Sequence, residues 1–256
     1  MNKLELIQKI KTKKELSGLN NKIIRETLET YFKTKNIELK NLNKSDLKII
    51  IKEIRKELRN LTGRFQKNSK KREKLLKQGK IKEILKTHKS TAERISFYPR
   101  LKKLITSLKI KSIIDIGCGI NPIALASPKI KYYAFDINET DLKLINKFFK
   151  IKKILGKAFV YDLRKISSKK PQHSKADICL LFKIIDIVKY KTPNIIDKLV
   201  SSLDCKYFFI SFSTRTLSGK PMNNPERKWV RKLLLSKNYK VRIFKTKNEI
   251  FYLAQK

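Results

Sequence analysis

From residue 111 onward, short apolar runs alternate with longer stretches of helical spacing, and this alternation constrains the fold more than any other feature of the chain. The runs SIIDI, KYYAFDI, AFVYD, ADICLLF and KYFFISF are rich in Ile, Val, Phe and Tyr, residues that fit a pleated, buried surface. Strands alternating with helices are predicted to lie parallel in one sheet covered on both faces. Two further strand-like runs, Lys240 to Lys245 and Glu249 to Leu253, are joined by a short polar turn and predict a hairpin at a sheet edge. The expected architecture is therefore α/β with seven strands. A generic doubly wound nucleotide-binding sheet would lack the closing hairpin.

Residues 1–109 read differently. Apolar positions recur at helical spacing at Leu4, Ile7 and Ile10, at Ile23, Ile24, Leu28 and Tyr31, and at Leu47, Ile50, Ile51, Ile54 and Leu58. No strand signal interrupts them, so a helical domain is expected over 1–109 and the α/β domain over 110–256. Asn20 and Asn43 suit helix N-caps, and Gly18, Gly63 and Gly79 suit breaks. Pro99 is expected to end or kink a helix running from Thr91 to Phe97.

The chain carries 63 Lys and Arg against 22 Asp and Glu, a formal net charge of +41. Charge of this size repels itself unless a polyanion neutralises it, which points to nucleic acid or an anionic membrane surface. The charges are spread along the chain rather than gathered in one tail, and no 18 apolar residues run together. Nucleic acid is therefore the expected partner, no membrane contact is expected, and the protein is expected to be a cytoplasmic monomer. Cys118, Cys179 and Cys205 form no CxxC pair and have no histidine at zinc-ligand spacing, so neither a metal nor a disulfide framework is expected.

The first strand run opens into Asp115-Ile116-Gly117-Cys118-Gly119-Ile120-Asn121-Pro122. This is neither a GxGxxG motif nor a P-loop, but glycines here let backbone approach a ligand closely. Asp136 ends the second strand run 19 residues after Gly117, where a carboxylate can accept both hydroxyls of a ribose, with Ile137 beside it. Asp162 ends the third strand run and can accept from an adenine amino group while the Leu163 N–H serves the ring. Phe182 offers a flat apolar surface and Lys183 a cation. The fifth run empties into Ser213 to Pro221, where Arg215 and Lys220 suit phosphates and the Ser213 and Ser218 hydroxyls suit base edges. A nucleoside-type cofactor and an RNA-facing loop follow. A tight turn, strand-end acids, a core phenylalanine and a solvent loop are the bland alternatives.

Six segments taken together are more specific: HKSTAER at 88–94, DIGCGINPIAL at 115–125, YAFDI at 133–137, LLFK at 180–183, FFISFSTRTLSGK at 208–220 and NEIFYL at 248–253. From about residue 80 onward the chain resembles the aminoglycoside-resistance 16S ribosomal RNA methyltransferases, the Arm/Rmt/FmrO family. The resemblance implies a seven-stranded, Rossmann-like S-adenosylmethionine-dependent methyltransferase fold with an N-terminal helical domain. It implies methyl transfer from S-adenosyl-L-methionine to N7 of a guanine in the decoding-site helix of the small ribosomal subunit, a modification associated with antibiotic resistance. Arg94 would help hold the cofactor's carboxylate, and Gly117, Gly119, Asp136, Ile137, Asp162, Leu163 and Phe182 would line the cofactor. His88, Lys183, Ser213, Arg215, Ser218 and Lys220 would face the RNA. The chain departs from the family between Arg64 and Lys74, where Phe65 is the sole aromatic, and at Asp186.

Guanine N7 carries a lone pair and no proton, so no catalytic base is expected, and His88 and His173 need not shuttle protons. Two other readings stay open. One is a basic RNA-binding or ribosome-assembly protein that keeps the fold without transferring methyl; the other is methylation of another rRNA position such as an adenine N1.

Overall fold

In the computed structural model, residues 2–62, 65–188, 194–216 and 219–256 are described. Gly63 and Ser218 lie outside the described residues. Helices α1 (Lys3–Lys11), α2 (Asn21–Lys35) and α3 (Lys44–Leu61) cluster around Leu6, Ile10, Ile24, Leu28, Ile54 and Leu58. The two expected N-caps form. Asn20 accepts from the Lys22 N–H at 2.9 Å, and Asn43 makes a capping box with Asp46, satisfying N–H groups that the first turn leaves unpaired.

Four short helices follow: α4 (Arg72–Lys77), α5 (Ile81–Lys86), α6 (Lys89–Arg94) and α7 (Tyr98–Ser107). Gly79 turns the chain between the first two with φ +67°, a backbone region that favours glycine. Pro99 behaves differently from expectation. The helix containing Thr91 ends at Arg94, and Pro99 sits in the first turn of α7, where its missing N–H has no helical acceptor to lose. The helices also divide unevenly. Leu76, Ile84, Leu85, Leu101 and Ile105 join the core of the sheet, whereas residues 6–58 keep a separate core.

The sheet contains β1 (Ser112–Ile116), β2 (Lys131–Asp136), β3 (Gly156–Val160), β4 (Lys175–Phe182), β5 (Asp204–Ser213), β6 (Lys240–Lys245) and β7 (Glu249–Gln255), in the order β3-β2-β1-β4-β5-β7-β6. β1 to β5 are parallel, β7 is antiparallel to β5, and β6 closes one edge. Alternation sends Ile113, Leu180 and Phe209 to one face and Ile114, Leu181 and Ile210 to the other. Helices α8 (Pro122–Leu125) and α9 (Glu139–Ile151) cover the first face together with α4, α5 and α7. Helices α10 (Ile185–Val188), α11 (Ile195–Ser202) and α12 (Lys228–Ser236) cover the second. Among the described residues no helix is long and apolar enough to cross a membrane.

The helical cluster touches the sheet's carboxyl edge at defined points. The turn before α2 pairs with the loop after β2: Asn20 donates to the Ile137 carbonyl and Thr140 to the Gly18 carbonyl, each at 3.2 Å. Ile137 packs into the core of α1 to α3. Lys165 reaches Glu26 of α2 at 2.6 Å, and Arg164 reaches Glu57 of α3 at 3.4 Å. At Gly18 an added Cβ would stand 2.5 Å from Oδ1 of Asn138, and that oxygen is committed to capping α9 through the Asp141 N–H. Gly18→Ala is expected to destabilise the protein by about 1–3 kcal/mol, the usual cost of overpacking a tight contact, seen as a lower urea midpoint.

Candidate functional site

A cleft of about 830 Å³, counting its open mouth, lies at the carboxyl edge of β1, β2 and β4. The strand order reverses between β1 and β4, so this is the crevice where open α/β sheets hold ligands. Its floor is the turn after β1. Gly117 and Gly119 have φ +67° and +52°; a Cβ on Gly117 would meet Ile184 at 2.7 Å, and one on Gly119 would meet His88 at 2.9 Å. Leu61, Thr62, Phe65 and Gln66 line the cleft from the end of α3 and the segment after it. The helical cluster thus builds part of the wall.

Asp136 ends β2 and faces this cleft. Its carboxylate accepts the Gly119 and Asn138 N–H groups, each at 2.9 Å. Burial pushes its pKa up to about 6 against the opposing pull of those hydrogen bonds. Asp115 at the end of β1 is also raised to about 6 by burial, although the Tyr132 hydroxyl at 2.6 Å and Asn121 at 2.8 Å both donate to it. Among the described residues three buried polar atoms have no partner: Oδ1 of Asp115, Nδ1 of His88 and Oε1 of Gln66. All three residues line the cleft. Orphaned polar atoms are costly in a folded interior, and their convergence on one cavity marks a polar ligand site.

The expected cofactor residues, Arg94, Gly117, Gly119, Asp136, Ile137, Asp162, Leu163 and Phe182, all line this one cleft. Two are more engaged than expected. Asp162 lies outside β3 and caps a short 3-10 turn, where the Arg164 guanidinium grips its carboxylate at 2.7–3.0 Å. Arg94 is buried, directs its Nε and Nη2 to Glu249 at 3.2 and 2.7 Å, and lies over the Phe182 ring at 4.6 Å. Its charge is therefore already matched, and Tyr98 shares Asn121 with it.

The residues expected on the RNA side separate. His88 is corrected from an exposed contact to a cleft wall, because the chain pairs Gln66 with His88 and stacks Phe65 on the imidazole at 5.9 Å. Burial, then the charges of Arg72, Arg94 and Lys183, lowers its pKa to about 3, so the ring is neutral at physiological pH. Lys183 is likewise buried, with its ammonium 2.6 Å from Glu93 and 3.6 Å from Glu249 and its backbone left-handed at φ 58°. Ser213 and Arg215 shape their own loop. Ser213 donates to the Arg215 carbonyl at 2.8 Å, and Arg215 holds Asn248 and the Gly219 carbonyl at 2.8 Å each. Lys220 is exposed.

Sequence reasoning missed the buried assembly of Arg72, which donates to Asp141, to the Thr87 hydroxyl at 2.6 Å and to the Thr87 carbonyl at 2.8 Å, while Gln66 donates to Asp141 at 2.7 Å. Arg72 looks like any other cation in a Lys-rich run. Glu249 gave more signal, as an acid opening an apolar strand in a chain with few acids. The three cysteines are free and buried, and burial pushes their thiols up, Cys205 to about 12. Among the described residues no cluster of His, Cys, Asp or Glu is placed to hold a metal ion.

Residues 74–232 match the profile of the ribosomal RNA methyltransferase (FmrO) family. A 16S rRNA (guanine(1405)-N(7))-methyltransferase of Serratia marcescens is 29% identical over 147 residues, a stretch that spans 57% of this chain and 57% of that relative. The crystal structure of the 16S rRNA methyltransferase RmtF in complex with S-adenosyl-L-homocysteine superposes over 100% of this chain and 99% of its own, with TM-score 0.79 and 22% identity. The 16S rRNA methylase ArmA covers 73% of this chain and 97% of its own, with TM-score 0.55 and 27% identity.

Removing Arg94 would take from the buried Glu249 its bidentate partner and leave it only the Lys183 ammonium at 3.6 Å and the Ser211 hydroxyl. Arg94→Ala is expected to cost about 3–5 kcal/mol of stability, and Arg94→Ala/Glu249→Gln to recover part of it, both measured by urea denaturation.

Proposed function

The chain belongs to the ribosomal RNA methyltransferase (FmrO) family, and from that premise we propose that it transfers the methyl group of S-adenosyl-L-methionine to N7 of a guanine in the decoding-site helix of 16S rRNA. The observation that carries the proposal is the cleft itself: a glycine turn, a strand-end carboxylate and three orphaned polar atoms converge where a nucleoside cofactor fits. Asp136 would accept the ribose hydroxyls, and Phe182 and Leu163 would flank the base. Gly117 and Gly119 leave room that any side chain would fill. The methionine end would meet His88, Asp115 and Arg94.

S-adenosylmethionine supplies an electrophilic methyl on a sulfonium. The chain's own task is then alignment, because guanine N7 attacks without losing a proton. A neutral His88 suits that chemistry, as no base is called for. A side chain cannot read N7 inside the deep, narrow major groove of A-form RNA, so the guanine must leave its stack and enter the cleft mouth. Lys9, Lys13, Lys48 and Lys52 line a concave groove between α3 and α1 with the turn that follows it. With the exposed Lys220, they are suited to gripping the phosphates of a folded RNA surface. The substrate proposed here is the small ribosomal subunit, the enzyme a monomer of the cytoplasm, with a helical RNA-gripping part over 1–109 and a catalytic part over 110–256.

The decisive experiment maps methylation on small subunits by primer extension after reaction with the cofactor. N7-methylguanosine in the decoding-site helix is expected, and modification of an adenine, or of nothing, would overturn the reading. Transfer should fall steeply as salt rises from about 50 to 200 mM, while cofactor affinity changes little.

Asp136 also sets a pH dependence. Ribose hydroxyls need an ionised acceptor, so cofactor affinity should fall as pH drops through about 6, the value to which burial raises this carboxyl. Asp136→Ala should weaken binding by about 1.5–3 kcal/mol and flatten that dependence in calorimetry. Stability should run the opposite way. A carboxyl whose pKa is higher folded than unfolded stabilises the fold most at low pH, and Asp115, raised to about 6, should lose its contribution as pH rises through that value. Asp115→Asn should therefore reduce the pH dependence of the urea midpoint between about pH 4 and 6.

A further inference from the structure

Helix α12 leaves an aromatic ring in water with no packing reason to do so. Val230 and Leu234 turn inward to the second core, while Trp229, the sole tryptophan of the chain, is 45% exposed. Among the described residues its one ring neighbour is the buried Phe212 at the end of β5, met edge-on at 6.3 Å between centroids, so a face of the indole remains free. Lys228 precedes it, Arg231 follows two residues on and Lys232 lies one turn on along the same side, all exposed and without an ion pair to a described residue. The helix contains no acid.

The position matters as much as the composition. β5 ends at the carboxyl edge of the sheet, and the chain descends through α12 before returning in β6, which runs parallel to β5. The first turn of α12 therefore stands at the edge that holds the cleft. Arg227, just before the helix, lies over Phe212 at 5.4 Å and bonds Asp186 of α10 at 2.9 Å, while Ile187 and Val188 of that helix line the cleft.

We propose that Trp229 is a stacking platform for an unpaired base of the RNA substrate, with Lys232 on the same side of the helix, and Lys228 and Arg231 flanking it in sequence, drawing in the phosphate backbone. A free indole face takes any base, and neighbouring cations take the backbone, which is the chemistry of single-stranded nucleic acid recognition. An apolar protein partner would also cover the ring, but three unpaired cations on a helix without acids favour a polyanion. The platform would hold RNA opened near the cleft mouth when the target guanine leaves its stack. This inference rests on the methyltransferase reading, and two measurements keep the fates of the two apart.

The first is methyl transfer to small subunits by Trp229→Phe, Trp229→Leu and Trp229→Ala. Stacking predicts that the Ala and Leu variants raise the KM for subunits about tenfold or more, that Phe stays within about threefold of wild type, and that cofactor affinity and melting temperature hold in all three. Leu matching Phe would indicate an apolar protein contact, and an unchanged KM in every variant would remove Trp229 from the interface; either result overturns the proposal. The second needs no methyl transfer. Indole emission is titrated with a short oligoadenylate while fluorescence anisotropy of a dye on the oligonucleotide reports binding. Emission is expected to fall by about half or more at saturation and to recover in high salt. Binding without quenching, or no binding, would overturn the platform. A wild-type protein that quenches yet transfers no methyl would sink the functional reading and leave the platform standing.

Discussion

The cleft depends on one buried charge cluster. Glu249, the first residue of β7, holds Arg94 of α6, lies 3.6 Å from the Lys183 ammonium at the end of β4, and accepts the Ser211 hydroxyl of β5. Its place follows from antiparallel register, which sets Ser213 opposite Glu249 and Ser211 opposite Phe251. Four elements far apart in sequence are fixed against one another by groups that cannot be left unpaired out of water. A shift of β7 by one residue would carry Glu249 to the other face of the sheet, strand Arg94 and leave Lys183 with Glu93 alone. Carboxylates in this chain therefore act as internal fasteners, and the geometry of the cleft wall is as rigid as the ladder that positions them.

A second consequence concerns charge. Asp115, Asp141, Asp162 and Glu249 are buried in or beside the cleft, and Glu26 and Glu57 tie the helical cluster to Lys165 and Arg164. Inside, these acids are met by Arg72, Arg94, Lys183 and Arg164, so the excess of 63 bases over 22 acids is left to the surface. Such a surface concentrates a polyanion before any specific contact forms.

What the sequence made legible follows from the range of the interactions concerned. The strand runs, the N-caps Asn20 and Asn43, the hairpin and the strand-end Asp136 are local patterns and are found where those patterns put them, except that the third strand stops at Val160, two residues before Asp162. Arg72 with Asp141, Arg94 with Glu249 and Lys183 with Glu93 are separated by 69, 155 and 90 residues. A cation in such a pair has the same local surroundings as a solvated one. His88, assigned to the RNA side through the resemblance, is buried by its pairing with Gln66 and the approach of Gly119. Pro99 is the same lesson at short range, since a proline that would break one helix can as well begin the next.

The contact between the helical cluster and the sheet joins two functions that the sequence presents as separate. The turn at Gly18 to Asn20 bonds the loop carrying Asp136 and Ile137, and α2 and α3 hold the loop carrying Asp162 through Arg164 and Lys165. Residues from the end of α3 and beyond line the same cleft. The helices that present the basic groove of Lys9, Lys13, Lys48 and Lys52 are therefore mechanically continuous with the two loops proposed to hold ribose and adenine. A tilt of that cluster would pull on the loop after β2, because Ile137 follows that strand directly and packs into the helical core. Linkage then requires reciprocity: if ligation of the cleft steadies these loops and the basic groove with them, RNA seated in the groove strengthens cofactor binding by the same factor.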